Sequence, residues 1–225
     1  MSLILEQDTI RAIKIGKEMA KIITVAQQKG GAGKSTIAAH LAIAFKQRNN
    51  KVALIDIDPQ GSLTMWFQLR EQLFGKNYAG IGFASCSGIR VHNEISQLKL
   101  LHDYVIIDCP PHTDTEAKTA IRAADFVLVP MQPSPTDLWA TGKTLDFAKC
   151  ENKKTKILLN RFSPNAKLAK SLNMPEEHIL KSHLGNRVGF ASSMAIGKTI
   201  LETEPSSVAS GEIKELVSEI IKLMK

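Results

Sequence analysis

Residues 29–36 read Lys-Gly-Gly-Ala-Gly-Lys-Ser-Thr, and they closely follow the run Ile22–Ala26, which is typical of a buried strand. The glycines allow a tight loop whose backbone N–H groups point inward at phosphate oxygens. Lys34 brings a positive charge to the β- and γ-phosphates, and the Ser35 hydroxyl can bind Mg²⁺. The stretch therefore predicts a loop that binds the phosphates of a nucleotide.

A helix is predicted immediately after this loop. The apolar residues at 37, 38, 41, 42 and 45 recur at helical spacing. The loop would then end at a helix N-terminus, where the helix dipole favours an anion. The order of strand, glycine loop and helix predicts that the chain binds a nucleoside triphosphate. The candidate nucleotide-binding residues of the loop are Gly30, Gly31, Ala32, Gly33, Lys34, Ser35 and Thr36.

Acidic residues end the second and third predicted strands. The second strand runs into Asp56 and Asp58, and the third, which begins at Tyr104, ends in Asp108 before two prolines. Ligands of doubly wound sheets bind at the carboxyl ends of such strands. No structural role is evident for Asp56 and Asp58, which would be adjacent, unpaired carboxylates at a strand tip. Hydrophobic residues that end in an acid, as at Asp108, are typical of a strand that binds the Mg²⁺ shell.

Strands and helices alternate from Lys21 onward. The predicted strands are rich in Val, Ile and Leu and cover 21–26, 51–57, 104–108, 125–130 and 155–160. The predicted helices cover 35–48, 92–101, 115–123, 136–149, 165–172 and 212–224. This pattern predicts an α/β fold, a doubly wound and mostly parallel sheet with helices on both faces. We expect residues 1–20 to be a short extension and 21–225 to form a single domain, closed by the helix over 212–224.

Composition narrows the class of protein. With 225 residues, 44% of them hydrophobic, the chain can bury one sizeable core. Its three cysteines are far apart, which argues against a disulfide framework or a zinc site and indicates a cytoplasmic protein. No apolar run approaches the ~20 residues that span a bilayer, so we expect no stable membrane insertion.

The charge balance favours a polyanionic partner. The formal net charge is +7, and residues 151–225 carry twelve Lys or Arg against eight Asp or Glu. This excess lies away from the glycine loop along the chain, which favours a second face that binds a polyanion such as nucleic acid or an anionic membrane surface. If the polyanion is DNA, the candidate contacts are Arg187, Lys198 and Lys214, chosen because the C-terminal third is basic.

Lys29 lies five residues before Lys34, at a position where the ordinary phosphate-loop pattern makes no demand. With this second lysine the loop resembles the deviant Walker A motif of the ParA/MinD family of ATPases. The resemblance extends to Asp-x-Asp-Pro-Gln-Gly at 56–61 and Ile-Asp-x-Pro-Pro at 107–111, and it covers about residues 21–223. Within the family, the Asp-Pro-Gln-Gly segment resembles the corresponding segment of the small plasmid and chromosome partition proteins of the Soj and ParF type.

The resemblance implies roles for individual residues. Lys29 would cross a dimer interface and contact the phosphates that the other subunit binds. Asp58 would orient or activate the attacking water, while Asp56 would organise Mg²⁺ through water. The implied catalytic residues are Lys29, Lys34 and Asp58, and the implied metal residues are Ser35, Asp56 and Asp108.

The same resemblance implies cofactors and partners. Asn160 ends a strand as the family's adenine-recognising asparagine does, and its amide has the donor and acceptor that suit adenine. The segment 129–137 resembles one that lies near the family's dimer interface. The implied cofactors are ATP and Mg²⁺. The implied partners are a second copy in an ATP-dependent homodimer, non-specific DNA, and a ParB-like or cargo adaptor protein, with the protein associated with the nucleoid.

Two other functions stay open. A MinD-like membrane-cycling ATPase shares the Lys29 motif, and it would require 212–224 to be a membrane-targeting helix. The Asp-Pro-Gln-Gly segment and the lack of a Lys-rich tail with bulky apolar residues count against it. A biosynthetic ligase of the dethiobiotin or cobyrinate amidation kind would need a small-molecule carboxylate site, and the amidating type a further glutaminase domain.

Overall fold

The computed structural model describes residues 19–76, 79–111, 115–163 and 176–225, and within these ranges seven strands form one parallel sheet. The strands are β1 (Lys21–Val25), β2 (Val52–Asp56), β3 (Gly82–Ser85), β4 (Tyr104–Asp108), β5 (Phe126–Met131), β6 (Thr155–Phe162) and β7 (Ile179–Gly185). Their order across the sheet is β3-β2-β4-β1-β5-β6-β7.

Helices cover both faces of the sheet. One face carries α1 (Lys34–Lys46), α2 (Ser62–Phe74), α6 (Val188–Met194), α7 (Ile200–Thr203) and α8 (Val208–Met224). The other carries α3 (Arg90–Leu101), α4 (Thr115–Ala123) and α5 (Pro135–Cys150). Because helices cover both of their faces, β2 and β5 are buried along their whole length. The two apolar layers fix the loops at the ends of the strands.

The carboxyl ends of β1, β2 and β4 bring the predicted site residues together. Asp108 pairs with Val25 on one side and with Asp56 on the other in the register of the sheet. The strand order also reverses at β1, because β2–β4 lie on one side of it and β5–β7 on the other. Doubly wound sheets bind ligands in the crevice at such a reversal. The glycine loop leaves β1 at this crevice.

The predicted fold class is confirmed. Each of the five predicted strands is present with ends within two residues of the prediction, and the helix over 115–123 matches to the residue. The sequence did not predict the strands β3 and β7 or the helices α2, α6 and α7. The two strands form the edges of the sheet and are only partly buried, so they lack a continuous apolar run. The predicted helix over 165–172 and the extension, apart from Met19 and Ala20, lie outside the described residues.

The C-terminal helix packs on the core. Ile213, Leu216, Val217 and Ile220 of α8 are buried against the sheet. Its apolar face is therefore occupied, as expected for a closing helix rather than for a membrane-targeting one. Within the described ranges, no helix combines the length and the apolar character that crossing a membrane requires.

Candidate functional site

The glycine loop after β1 leaves its backbone open to a ligand. Gly31 and Gly33 have positive φ angles of 75° and 94°, a conformation that favours glycine. A Cβ atom on Gly33 would lie 2.4 Å from the side-chain nitrogen of Asn160, whereas one on Gly31 would meet no atom within 4 Å. Lys34 begins α1, whose N-terminus has no side-chain cap. The first N–H groups of α1 are therefore available to an anion.

Asp108, at the end of β4, is buried, and neither of its carboxylate oxygens has a hydrogen-bond partner among the described residues. Burial raises the pKa of Asp108 to about 8, although the nearby Ser35 hydroxyl and the Lys34 ammonium favour its ionised form. Lys34 is itself only 6% exposed, and burial lowers its pKa despite the neighbouring carboxylates of Asp108 and Asp58. A bound cation would supply the partner that the Asp108 carboxylate lacks.

The donors around Asp108 fit a Mg²⁺ ion that arrives with a nucleotide. Mg²⁺ in such sites is held by one or two carboxylates together with the substrate phosphates, and not by a cage of protein ligands. Asp108 has Asp56 beside it in the sheet, and Ser35 lies in the first turn of α1. Among the described residues no group of three or more His, Cys, Asp or Glu side chains could hold a metal by itself. The partial set that is present needs phosphate oxygens to complete it.

Asp56 has a structural role that the sequence did not reveal. Its buried carboxylate accepts hydrogen bonds from the backbone N–H and the hydroxyl of Thr64, at 2.8 and 2.7 Å, and from the N–H of Asp58 at 3.1 Å. Thr64 lies in the first turn of α2, so Asp56 fixes the start of that helix to β2. The expectation that neither acid has a structural role is therefore wrong for Asp56. Its part in a Mg²⁺ shell stays a prediction.

Asp58 lines an open cavity of about 370 Å³ around the glycine loop. One of its oxygens accepts a hydrogen bond from the N–H of Gln60 at 2.9 Å. The cavity brings Asp58 together with Lys34, Ser35 and Thr36, as predicted, and adds Arg161. It therefore combines backbone donors, a buried ammonium and a partly exposed carboxylate, which is what phosphate binding and activation of a water molecule require.

Asn160 lines a second cavity, of about 250 Å³, which shares Gly33, Thr36 and Arg161 with the first. The side-chain nitrogen of Asn160 donates to the carbonyl of Ala32 at 2.8 Å, and its oxygen accepts from the N–H of Arg161 at 3.0 Å. Both polar groups of Asn160 thus already have partners within the chain. Its position next to the loop suits a nucleotide base, but its role as an adenine reader stays a prediction.

Arg161 follows Asn160 directly and lines both cavities, although the sequence did not predict a part for it in the site. It has a positive φ of 51°, and its backbone therefore adopts a conformation that is strained for a residue with a Cβ atom. Such strain concentrates at functional sites. The only feature of the sequence that could have indicated a role for Arg161 was its position directly after Asn160.

Lys29 is held within its own chain. Its ammonium contacts the carboxylate of Asp137 and lies 3.0 Å from the Thr136 hydroxyl, both in the first turn of α5. The side-chain amide of Gln132 also donates to the carbonyl of Gly31 at 3.0 Å, so α5 and the loop before it are attached to the glycine loop. These contacts join residues 101 to 108 positions apart, and sequence reasoning missed them. The feature of the sequence that could have indicated these contacts was the proline-rich segment 129–137.

The three predicted DNA contacts are in different surroundings. Arg187 pairs with Glu212 of α8 at 2.6 Å, and this hydrogen bond raises the pKa of the guanidinium. Arg187 also lines the second cavity, beside Asn160. Lys198 is only half-buried, and Lys214 on α8 donates to a backbone carbonyl at 2.9 Å. The positive charge of Arg187 is thus already balanced, whereas that of Lys214 lies beside an uncharged acceptor.

Comparisons with known proteins agree with this geometry. Residues 23–200 match the family model described as the CobQ/CobB/MinD/ParA nucleotide binding domain. The chain is 28% identical over 213 residues to maintenance of carboxysome distribution protein A of Halothiobacillus neapolitanus, which covers 88% of this chain and 95% of that protein. It is 26% identical over 239 residues to the chromosome-partitioning ATPase Soj of Thermus thermophilus, covering 88% and 94%. Some relatives match over a shorter part, such as 59% of the Bacillus subtilis protein Soj.

Solved structures share the fold. The cell division ATPase MinD of Pyrococcus furiosus superposes with a TM-score of 0.73 at 21% identity, over 91% of this chain and 100% of that one. MinD of Pyrococcus horikoshii, complexed with Mg-ADP, has a TM-score of 0.73 at 19% identity, over 91% and 97%. The ATP complex of Cyanothece McdA has a TM-score of 0.72 at 18% identity, over 92% and 98%. The predicted cofactors, ATP and Mg²⁺, are consistent with the ligands of these neighbours. The chain belongs to the CobQ/CobB/MinD/ParA family of nucleotide-binding domains.

Proposed function

We propose that this protein is a ParA-type partition ATPase. It binds ATP with Mg²⁺, dimerises around the nucleotide, binds DNA without sequence preference, and hydrolyses ATP to segregate or position a cargo. The observation that carries the proposal is the pair of buried ionisable groups at the glycine loop. Among the described residues the Asp108 carboxyl has no hydrogen-bond partner, burial lowers the pKa of Lys34, and both side chains lie beside an uncapped helix N-terminus.

The residues of the cavity divide the chemistry between them. Lys34 and the N–H groups of α1 bind the phosphate charge, and Ser35 and Asp108 would hold Mg²⁺, with Asp56 acting through water. The ion would supply positive charge that offsets the negative charge of the phosphates. Asp58 is the side chain that orients the attacking water, because it lines the phosphate cavity and remains partly exposed.

Dimerisation completes the site. Lys29 of each subunit reaches the phosphates held by the other, so neither subunit has the full set of cations alone. A cargo adaptor then stimulates hydrolysis. An added positive charge at the γ-phosphate is worth roughly 10³–10⁵ in rate in other nucleotide hydrolases. The near full-length similarity to a carboxysome distribution protein and to a chromosome-partitioning ATPase supports cargo positioning as the purpose of the cycle.

The DNA contacts are better placed in a cleft between β7 and α8. Lys181, Lys214 and Lys222 line this open cleft, whose volume is about 560 Å³. The guanidinium of Arg48 lies against α8 next to it and donates to the carbonyl of Lys214 at 3.0 Å. Two acids, Glu215 and Glu219, also line the cleft. The carboxylate of Glu219 is occupied by Ser182 and by the backbone N–H of Lys181. We therefore add Lys181, Lys222 and Arg48 to the candidate contacts.

The test of the enzymatic part is ATP binding and steady-state hydrolysis by purified variants. Lys34→Ala should lose ATP binding, and Asp58→Ala should bind ATP but hydrolyse it at least 100-fold more slowly. Lys143→Ala, which removes an exposed lysine of α5, is the matched control and should behave as the wild type. Tight ATP binding by Lys34→Ala, or normal turnover by Asp58→Ala, would refute the corresponding assignment.

A further inference from the structure

Lys29 and Asp137 form an ion pair that is unevenly exposed. The Lys29 side chain is 37% exposed, whereas that of Asp137 is completely buried. The lysine can therefore leave without a change in the fold, but the carboxylate cannot follow it into water. Among the described residues, Lys29 is the only cation that pairs with Asp137.

Asp137 is fixed in place by neutral groups. Its carboxylate accepts hydrogen bonds from the Ser134 hydroxyl and from the backbone N–H of Gln132, the latter at 3.3 Å. Its own carbonyl accepts from Thr141, whose hydroxyl accepts in turn from the buried amide of Gln27 at 2.8 Å. Because Gln27 precedes the glycine loop, the carboxylate stays at a set position relative to Lys29.

The two positions of Lys29 exclude each other. An ammonium that is bonded to Asp137 and Thr136 of its own chain is not at the phosphates of a partner subunit. Moving it to those phosphates leaves a buried carboxylate without its counter-ion, which is strongly unfavourable. The dimer must supply this free energy twice, once for each subunit.

We propose that Asp137 is an autoinhibitory residue that retains Lys29 in the monomer and so sets the threshold for nucleotide-dependent dimerisation. This inference rests on the proposed ATP dimer. The retaining contact opposes dimerisation in every nucleotide state, and only a ligand that binds the released lysine more strongly overcomes it. The γ-phosphate adds negative charge at the destination of Lys29, so ATP promotes release better than ADP.

The experiment is light scattering over a range of protein concentrations with a slowly hydrolysed ATP analogue and Mg²⁺. Asp137→Asn, which keeps the shape of the side chain but removes its charge, should form half its dimer at a concentration at least tenfold below the wild type. Thr136→Ala removes the weaker contact, at an exposed position, and should lower the concentration at which half the protein is dimeric two- to threefold. Asp146→Asn changes an exposed acid of the same helix, is the charge control and should leave that concentration unchanged.

The outcomes separate this inference from the proposed function. A wild type that stays monomeric with the analogue overturns the nucleotide dimer itself. A wild type that dimerises while Asp137→Asn and Thr136→Ala dimerise no more readily overturns the retaining role alone. The double variant Lys29→Ala/Asp137→Asn checks the route of the effect, since without Lys29 the substitution at 137 should no longer promote dimerisation. If Asp137→Asn promoted dimerisation of the Lys29→Ala protein as much as it promotes dimerisation of the wild type, the retaining role would be contradicted.

Discussion

Single residues at the glycine loop lower the stability of the nucleotide-free protein and favour the binding of a ligand. Asp108 is buried without a hydrogen-bond partner among the described residues, and burial lowers the pKa of Lys34 nearby. Native proteins avoid such groups unless a ligand compensates for them. The sequence could predict Asp108 as a metal residue, because an acid that ends a buried strand is a local pattern. It could not predict Asp137, because its contact with Lys29 depends on how β1 and α5 meet in the fold.

Removing the charge of Asp108 should stabilise the nucleotide-free protein. The pKa of Asp108 is raised to about 8 by burial, so its ionisation favours the unfolded chain increasingly as the pH rises from about 4 to about 8. Asp108→Asn should therefore raise the melting temperature of the nucleotide-free protein at pH 8, as measured by calorimetry, and weaken Mg²⁺-dependent nucleotide binding. A lower melting temperature with intact Mg²⁺ dependence would contradict this description of the site.

His40 gives the fold a pH dependence of its own. Its Nδ1 donates to the carbonyl of Thr36 at 2.7 Å, and its Nε2 accepts from the N–H of Ile200 at 3.0 Å, so the buried ring is neutral. Burial lowers the pKa of His40 from 6.5 to about 4. Below pH 6.5 the His40 imidazole becomes protonated in the unfolded chain, whereas in the folded chain it stays neutral until the pH approaches 4.

The free energy of unfolding should therefore fall by about 3 kcal/mol between pH 6.5 and 4 because of His40. Urea denaturation at several pH values measures this fall. His40→Gln should flatten the decline, since glutamine does not titrate. The same decline in the variant would mean that other groups cause it.

At the scale of elements, α2 connects the nucleotide site to a distant part of the chain. It begins where Asp56 holds Thr64, and its buried Arg70 bonds to Glu202 of α7 at 2.8 and 3.1 Å and to the carbonyl of Gly197 at 3.2 Å. The segment after β2 is therefore joined through α2 to α7 and to Gly197.

Arg70→Met should destabilise the protein by about 3–5 kcal/mol, because it leaves the largely buried carboxylate of Glu202 without its counter-ion. Arg122→Met is the matched control. Its ion pair with Glu151 is exposed, and its loss should cost less than about 1 kcal/mol. Urea denaturation compares the two variants, and equal effects would show that α2 is not anchored through Arg70.

The elements differ in how far the sequence predicts them. β2, β4 and β5 are central and buried, so their apolar runs identify them. β7 is an edge strand that carries lysine, serine and histidine, and its pattern resembles that of a loop. Helix α2 was missed because its outer side is also apolar, with Met65, Leu69 and Leu73 exposed, which blurs the helical period.

At the scale of the whole molecule, ligands are expected at two places. The nucleotide is expected at the carboxyl edge of the sheet, where the strand order reverses. The proposed DNA cleft lies between β7, an edge strand, and α8. The sequence predicted a basic C-terminal third, but only the fold brings Lys181 and Lys222 next to Lys214. A partition cycle requires that the first place control the second.

The most direct test of the account is the binding of a labelled, non-specific DNA duplex by the wild-type protein, followed by fluorescence anisotropy at 50 and 200 mM salt. We expect binding with ATP and Mg²⁺, and little with ADP or without nucleotide. Four phosphate contacts would weaken the ATP-dependent affinity roughly 100-fold between the two salt concentrations. Lys181→Ala/Lys222→Ala should reduce both the affinity and the salt dependence, and Lys143→Ala neither. Equal DNA affinity with ATP, with ADP and without nucleotide would contradict the assignment as a partition ATPase. The absence of DNA binding in every state, while ATP is still hydrolysed, would contradict it as well.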